Sequence, residues 1–451
     1  MILGIASTPP EHRGFGAIWP FLRMRGAKVS VLTVAFGLEP KDAREPMNRA
    51  RIVGLVVLLV AVAWGGVSLA QTEIKAVHRT IPQVPSATLV NGIYFVTLDA
   101  PTPYGRGYQH GAALQYVIKK GLAQWKQWIN ETLGQQDVEI EIAEFIHDTD
   151  YLQGIRKHTP ELYEELQGVA KGAGVDFQTL YAYQMFDEFV VHAVDKYRLA
   201  HCSGFGVYGR DGLPNILGQN NDLPPYYGGT HTVLRIKYPR NHEALVFTWA
   251  GLLAQNGVNN QNVGVTMNIV PTAKGRTDGV PMPYIIRSIL EKKSRGEAVA
   301  FLESLGGSAA PMNFIIGDAD GVVTVENTAD GAKVFEGFHD EDWVVHTNHH
   351  LDLDTSTLAE GAVSKTVKRL AKLEEMLKGK SAEIDAERAM QIFRTKPVLK
   401  NFETDPGFPT MESIVIELIP GNPRMHVSPG PPDGNAYSTF DFAQGYVGTE
   451  R

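Results

Sequence analysis

The chain is almost devoid of cysteine: among its 451 residues there is one, Cys202. A single thiol cannot close an internal disulfide, so the fold rests on packing alone. Dense basic blocks are also missing. With 42 Lys and Arg against 50 Asp and Glu, the net charge is -8, which leaves no electrostatic footprint for nucleic acid and excludes that partner class. There is no G-x-S-x-G elbow, which removes the nucleophile turn of a serine-type hydrolase. Internal repeats and low-complexity linkers are absent as well. What is present is globular material: 43% hydrophobic and 20% charged residues can bury a sizeable core, as one large domain or two smaller ones.

One apolar run is unbroken by charge. It extends from Ile52 to Trp64, behind Met47-Asn48-Arg49-Ala50-Arg51 and ahead of the small residues that end Ser68-Leu69-Ala70. A basic start, a short apolar stretch and a small-residue cleavage site make an export signal, so 47–70 is expected to be one and the protein to be periplasmic or secreted. A retained, outward-facing membrane anchor stays open, because the run is near the lower limit for spanning. An export signal is poorly placed behind a leader, so 1–46 is expected to be a spurious extension with the true start at Met47.

The pattern then divides at the cysteine. A strand-like stretch, Leu89 to Asp99, is followed by a mostly helical region to about Val194, where Leu162, Leu166, Val169 and Ala170 share one face behind Pro160. From Cys202 onward the period is that of strands: Phe205–Tyr208, Asn215–Gln219, Thr232–Tyr238, Ala244–Trp249, Val263–Val270, Asn313–Ile316 and Val322–Val325. Helices are expected near Pro283–Lys293, Ala298–Leu305, Ser364–Leu377 and Ala382–Phe393, before closing strands at Ser413–Ile419 and Met425–Val427. This order predicts an α+β fold of stacked sheets covered by helices.

A free thiol in an oxidising compartment is a liability unless buried or used, and the bland reading of Cys202 is a buried structural residue. Its position at the start of a strand offers another. If the bond between His201 and Cys202 were cut, the thiol could attack a carbonyl while the new α-amine, with a pKa of about 7.7–8.0, accepted the proton. One residue would supply nucleophile and base.

Several segments carry a resemblance in common order: Gly107-Tyr108-Gln109-His110-Gly111, then Leu166 to Asp176, then Cys202, Gly218-Gln219-Asn220-Asn221-Asp222, Gly257-Val258-Asn259, Asn268, Gly279-Val280-Pro281 and Val345-His346-Thr347-Asn348-His349. Together they resemble the acyl-coenzyme A:6-aminopenicillanic acid acyltransferase (isopenicillin N acyltransferase-like, peptidase C45) family of N-terminal-nucleophile cysteine hydrolases. The resemblance implies a four-layer αββα sandwich and self-processing into a small subunit (71–201) and a large catalytic one (202–451) that stay associated as a heterodimer. It implies Cys202 as nucleophile, cleavage at His201–Cys202, Asp222 as an acid near the new amine and Asn268 in the oxyanion hole. The physical roles agree, since a carboxylate tunes an ammonium and a side-chain amide donates to a developing oxyanion. Asn220, Asn221 and Tyr226 are candidates to line the substrate pocket. The sequence departs from the family in having His201 where glycine is frequent, Asn221 where an aromatic is common, and no arginine in Pro406–Thr410 where the family carries a late one.

The expected reaction is hydrolysis of an N-acyl amide, a small-molecule substrate, through a Cys202 thioester and without metal or cofactor. Transfer of the acyl group to an amine such as a β-lactam nucleus or an amino acid is the alternative, and an exported binding protein that keeps the fold without catalysis is a third. Two patterns are set aside. Gly204-Phe205-Gly206-Val207-Tyr208-Gly209 fits a dinucleotide fingerprint, but a helical segment precedes it and a turn follows. His346, His349 and His350 with Asp352 and Asp354 lack a convergent metal spacing, because adjacent strand residues face opposite ways. His110 is expected to pack or hydrogen-bond at a helix start rather than act as a base.

Overall fold

The computed structural model describes residues 81–133, 137–186, 188–189, 202–338, 341–352 and 362–450. The described residues all belong to one compact unit; the expected leader, the signal segment and His201 lie outside them. No helix among the described residues is long and apolar enough to cross a membrane.

The first strands are β1 (Thr88–Val90) and β2 (Ile93–Leu98). The single strand expected over Leu89–Asp99 is therefore a hairpin. Asn91 and Gly92 both have positive φ, 45° and 79°, and such a pair makes the tight turn whose twist matches antiparallel strands. Among the described residues six helices follow: α1 (Pro103–Ala113), α2 (Gln115–Leu133), α3 (Val138–His147), α4 (Tyr151–His158), α5 (Pro160–Ala173) and α6 (Phe177–Tyr183). Thr102 and Asp176 cap α1 and α6 through side-chain oxygens, and α5 ends on Gly174 in the left-handed region.

The motifs at Gly107–Gly111 and Gly168–Gly172 gain a structural meaning from the packing of α1 on α5. A Cβ on Gly107 would sit 1.8 Å from the Glu165 carbonyl oxygen, and one on Gly168 would sit 2.1 Å from that of Tyr104. Neither helix has side chains where the other's backbone runs. Gly168→Ala should therefore force the helices apart and cost about 1–3 kcal/mol, read as a fall in denaturant midpoint. His110, on α1, is fully buried; its Nε2 accepts the Gly251 N–H at 3.1 Å, and burial drives its pKa down to about 4. It is a neutral packing residue.

The remaining strands are β3 (Ser203–Val207), β4 (Asn215–Asp222), β5 (His231–Lys237), β6 (Glu243–Trp249), β7 (Asn256–Asn259), β8 (Gly264–Ile269), β9 (Met312–Asp318), β10 (Gly321–Thr328), β11 (Gly331–Phe335), β12 (Trp343–His346), β13 (Thr410–Leu418), β14 (Arg424–Ser428), β15 (Ser438–Asp441) and β16 (Gly445–Thr449). Between them lie α7 (Met282–Ile289), α8 (Arg295–Leu305), α9 (Ala362–Leu377) and α10 (Ala386–Phe393). The nine-stranded sheet has the order β1-β2-β5-β6-β7-β8-β9-β10-β11 and the seven-stranded sheet β12-β3-β4-β13-β14-β15-β16. Only β2 and β5 pair in parallel among these strands, so the segment before Cys202 is built into the same sheet as the segment after it.

The sheets pack face to face through β3 and β4 on β8, β9 and β10. Helix α8 packs on β9–β11 of one sheet and carries α7 against it, and α9 and α10 cover β12, β3, β4 and β13 of the other. The result is the αββα sandwich that the resemblance implied.

Strand β3 shows why its sequence alternates. Phe205 and Val207 join the core under α9 and α10, where Phe205 stacks on Phe393 at 5.0 Å. Gly204 and Gly206 face the other sheet, and a Cβ on either would meet Ile315 at 3.0 Å. The glycines thus serve close sheet-to-sheet approach, and the strand–turn–strand context of the G-x-G-x-x-G pattern is that of a β-hairpin with β4.

Candidate active site

Alternation along β3 and β4 separates the site into two sides. Cys202 precedes β3 on the parity of Gly204, so its side chain turns inward, between the sheets. The sulfur is buried and donates to Asn221 Oδ1 at 3.0 Å. Asn221 in turn donates through Nδ2 to Glu412 Oε2 at 3.2 Å, and Asn256, on β7 of the opposite sheet, donates to Glu412 Oε1 at 2.7 Å. Glu412 reaches this position because β13 carries an irregularity: Thr410 pairs with Asp222 and Glu412 with Asn221, so Met411 is the extra residue. Such a bulge re-aims the side chains beyond it.

Asn268, on β8, faces the same gap. A Cβ on Gly204 would lie 3.3 Å from Asn268 Oδ1, which places the amide beside the strand that begins at the nucleophile. Asn268 is fully buried, yet neither Oδ1 nor Nδ2 has a hydrogen-bond partner. Its neighbour Gln219 is spent on scaffolding: Gln219 Oε1 accepts from the Met267 N–H at 3.1 Å while its Nε2 donates to the Met267 carbonyl, so the amide stitches β4 to β8. Asn268 is thereby held in place by its backbone while its side chain stays unspent. An unpaired buried amide costs about 1–3 kcal/mol, which a site tolerates where a ligand will make the missing bonds.

The outward side holds the charges. Asp222, at the end of β4, is fully buried; its Oδ1 accepts from Thr410 Oγ1 at 2.7 Å and its Oδ2 lies 4.0 Å from Lys400 Nζ. Burial pushes its carboxyl up to about 7, against the pull of Lys400 and Arg369. Arg369, on α9, donates through Nη1 to the Cys202 carbonyl and to Ser203 Oγ at 2.9 Å, and through Nη2 to Asn348 Oδ1 at 2.8 Å. Asn348 closes the loop by donating to the Ile269 carbonyl at 3.0 Å, one residue beyond Asn268. The two sides of the nucleophile are thus tied through one arginine.

The other candidates fall in different surroundings. Asn220 also points outward, its Nδ2 donating to the carbonyls of Phe393 and Val398 at 3.0 and 3.2 Å. Tyr226 sits in a single 3₁₀ turn, Pro225–Tyr227, within an aromatic cluster of Trp128, Phe186 and Tyr227. His346 and His350 both bond Glu326, at 2.9 and 2.8 Å, and His349 lies against Thr366. Among the described residues no group of three or more His, Cys, Asp or Glu is arranged to hold a metal; Asp354 lies outside them.

Sequence reading missed Arg369, Lys400, Glu412 and Asn256. Arg369 had a legible signal: it shares the buried stripe of α9 with Thr366, Leu373 and Leu377, where a charge is out of place unless paired. Glu412 is a lone acid opening a run of strand residues.

Burial pushes the Glu412 carboxyl from 4.5 up to about 8, opposed by the amides of Asn221 and Asn256. Its folded pKa lies above the unfolded one, so the fold favours the neutral form. That contribution is complete below about pH 4.5 and is lost as the pH rises through about 8. The neutral acid can be satisfied, because Asn256 Oδ1 has no partner and a turned amide would accept the proton. Glu412→Gln keeps the contacts without the titration. Thermal midpoints of wild type and variant should diverge between about pH 5 and 8, the wild type falling more steeply.

The geometry can be set beside known proteins. The family described as acyl-coenzyme A:6-aminopenicillanic acid acyl-transferase matches residues 209–410. The chain is 27% identical over 256 residues to the 40 kDa form of acyl-coenzyme A:6-aminopenicillanic-acid-acyltransferase of Emericella nidulans, covering 55% of this chain and 68% of that protein. It is also 27% identical over 152 residues to protein dcd1A of Dictyostelium discoideum, covering 30% of this chain and 33% of that one. Among solved structures, a mutant conjugated bile acid hydrolase from Clostridium perfringens shares 14% identity at a TM-score of 0.38, over 55% of this chain and 96% of that one. Penicillin V acylase from Agrobacterium tumefaciens shares 12% at a TM-score of 0.34, over 55% and 86%. With its αββα layers and with residues 209–410 matching, this chain is related to the acyl-coenzyme A:6-aminopenicillanic acid acyl-transferase family of enzymes.

Proposed function

We propose that the protein is a self-processing amidohydrolase that cleaves N-acyl amides through a thioester on Cys202. The observation that carries the reading is the pairing of a buried thiol at the head of β3 with a buried, unpartnered amide, Asn268, across the sheet gap. A donor with no bond to break in the resting protein is suited to a charge that exists only in the transition state.

The thiol of Cys202 first attacks the carbonyl of residue 201; the 201–202 peptide bond breaks to free the α-amine, and water hydrolyses the resulting thioester, leaving a carboxylate on residue 201 and the thiol restored. In each later turnover the sulfur attacks the substrate carbonyl and the α-amine takes its proton. Asn268 donates to the oxyanion, and the ammonium returns the proton to the leaving amine. Water, activated by the same amine, then hydrolyses the thioester. Asp222 lies at the strand end where this amine emerges, and a new positive charge beside it would hold its carboxyl ionised. Arg369 fixes the Cys202 carbonyl and so the backbone from which the thiol departs. The two subunits would stay together, because β1 and β2 complete a sheet with β5.

Transfer of the acyl group to an amine is the second reading. The basic, apolar and small-residue order of 47–70 favours water as acceptor, since an exported enzyme rarely meets acyl-coenzyme A. Acid quenching during turnover of an N-acyl amide should trap the acyl group on the Cys202 peptide, and mass spectrometry reads the added mass. Turnover with Cys202 never acylated contradicts the thioester. Amine transfer without hydrolysis would make the protein an acyltransferase.

A further inference from the structure

The network of Asn221, Glu412 and Asn256 has no role in the reaction as drawn above, yet it ends on the reacting sulfur. Glu412 is fully buried, and among the described residues it makes no ion pair; the groups that meet its carboxyl are two amides. Its aim is held through the bulge residue before it, because the Met411 carbonyl accepts from His231 Nε2 at 2.7 Å. A carbonyl only accepts, so this nitrogen carries the ring's proton. Burial drives the His231 pKa down to about 4, which keeps the ring neutral.

Hydrogen-bond chemistry decides which way Asn221 faces. An ionised Glu412 can only accept, so it draws Asn221 Nδ2 and leaves Oδ1 for the sulfur, which must keep its proton in order to donate. A thiolate reverses each of these roles. It too can only accept, so Asn221 must turn to offer it Nδ2, and Oδ1 then faces Glu412, where only a protonated carboxyl can meet it. With the thiol intact, a neutral acid is met by Asn256 Oδ1; with the thiolate, it is met by Asn221. The bond given up in the turn is the looser of the two, 3.2 Å against 2.7 Å from Asn256. The turn itself moves no proton: that of the thiol passes to the α-amine, and that of the carboxyl comes from water.

We propose that Glu412 is a positioning residue for the nucleophile: through Asn221 it lets the site carry one negative charge, on the sulfur or on the carboxyl, so that Cys202 ionises only while Glu412 holds a proton. With both ionised, the amide would face an acceptor on each side, and one of them would lose a charged hydrogen bond in a buried site. Burial favours the working state, since it pushes the Glu412 carboxyl up to about 8, beside an α-amine that titrates at about 7.7–8.0. The other titratable groups that face Glu412 stay uncharged there. They are the neutral His231 ring and Tyr437, which bonds Ser413 and whose hydroxyl burial holds protonated. Asp222 and Lys400 lie on the outward side of β4. What the device does for turnover rests on the amidohydrolase reading; the link between thiol and carboxyl does not.

Because the chain has one cysteine, ultraviolet absorbance of the thiolate reports Cys202 alone once the titration of Cys202→Ala in the same background is subtracted. In Glu412→Gln the new amide can donate to a turned Asn221 without taking up a proton, and no carboxylate charge opposes the sulfur. The thiolate should therefore form at least about one pH unit lower than in the wild type, a tenfold change in its ionisation constant. Glu412→Leu should shift the midpoint the same way, and it serves if the glutamine variant does not fold. In an Asn221→Ala background, Glu412→Gln should move the midpoint by less than roughly half as much, since the connecting amide is gone. Coincident wild-type and Glu412→Gln curves, or an equal shift with and without Asn221, overturn the proposal. Turnover is the second readout. The kcat/KM of the wild type on an N-acyl amide should fall as the pH rises through about 8, and Glu412→Gln should lose that limb. Equal pH profiles overturn the role in turnover. If the thiolate midpoints shift while no amide is cleaved, the link between thiol and carboxyl stands and the amidohydrolase reading falls.

Discussion

Cys202→Ala should yield one uncut chain with no measurable turnover. The same sulfur is asked to cut the chain and to carry the acyl group, and removing a covalent nucleophile typically lowers kcat by about a millionfold. The fold should survive. Alanine fits within the space of the thiol, and the hydrogen bond to Asn221 is lost with the sulfur. Asn221 would still be held by Glu412. A folded, uncut, inactive variant is therefore expected, checked by circular dichroism, denaturing gel and substrate assay together. A cut or active Cys202→Ala protein would leave the account without a nucleophile.

Asn268→Ala should separate activity from stability in opposite directions. Loss of an oxyanion donor costs about 10²–10³ in kcat, with KM little changed if the bond is made only in the transition state. Stability should hold or rise, because the variant removes a buried amide whose two polar atoms have no partners in the resting protein. A purely structural asparagine predicts the reverse: lost stability and nearly intact kcat. Thermal midpoint and steady-state kinetics on one preparation distinguish the two.

Much of this arrangement was legible in the sequence, and the exceptions have physical reasons. Strand periodicity located β3, β4, β5, β6, β8, β9 and β10, because each alternates or runs apolar between turns. It did not find β7, the short Asn256–Asn259 strand, since asparagine and glycine carry little strand preference and their burial comes from the partner sheet. The hairpin at Asn91-Gly92 was read as one strand, although that dipeptide is a strong turn signal, because the flanking residues alternate on both sides. The roles of Cys202, Asp222 and Asn268 came with the family resemblance, and the structure brings all three to the ends of neighbouring strands.

The charged shell was harder to read. Arg369 lies in a lysine-rich helix whose exposed face masks the one inward cation, and Glu412 is aimed by a backbone bulge that leaves no compositional trace. Asn220 and Asn221 are adjacent, and only the pleat decides that Asn221 meets the sulfur while Asn220 ties β4 to the helical layer. Local pattern gives the faces of a strand; which face carries chemistry depends on what the opposite sheet presents.

The central claim is that Cys202 becomes an N-terminal residue. Intact-mass analysis with N-terminal sequencing of the purified wild-type protein measures this directly. The account predicts two chains that co-purify, the larger beginning at Cys202. A single chain that runs unbroken through His201–Cys202 and is fully active on an N-acyl amide would contradict it.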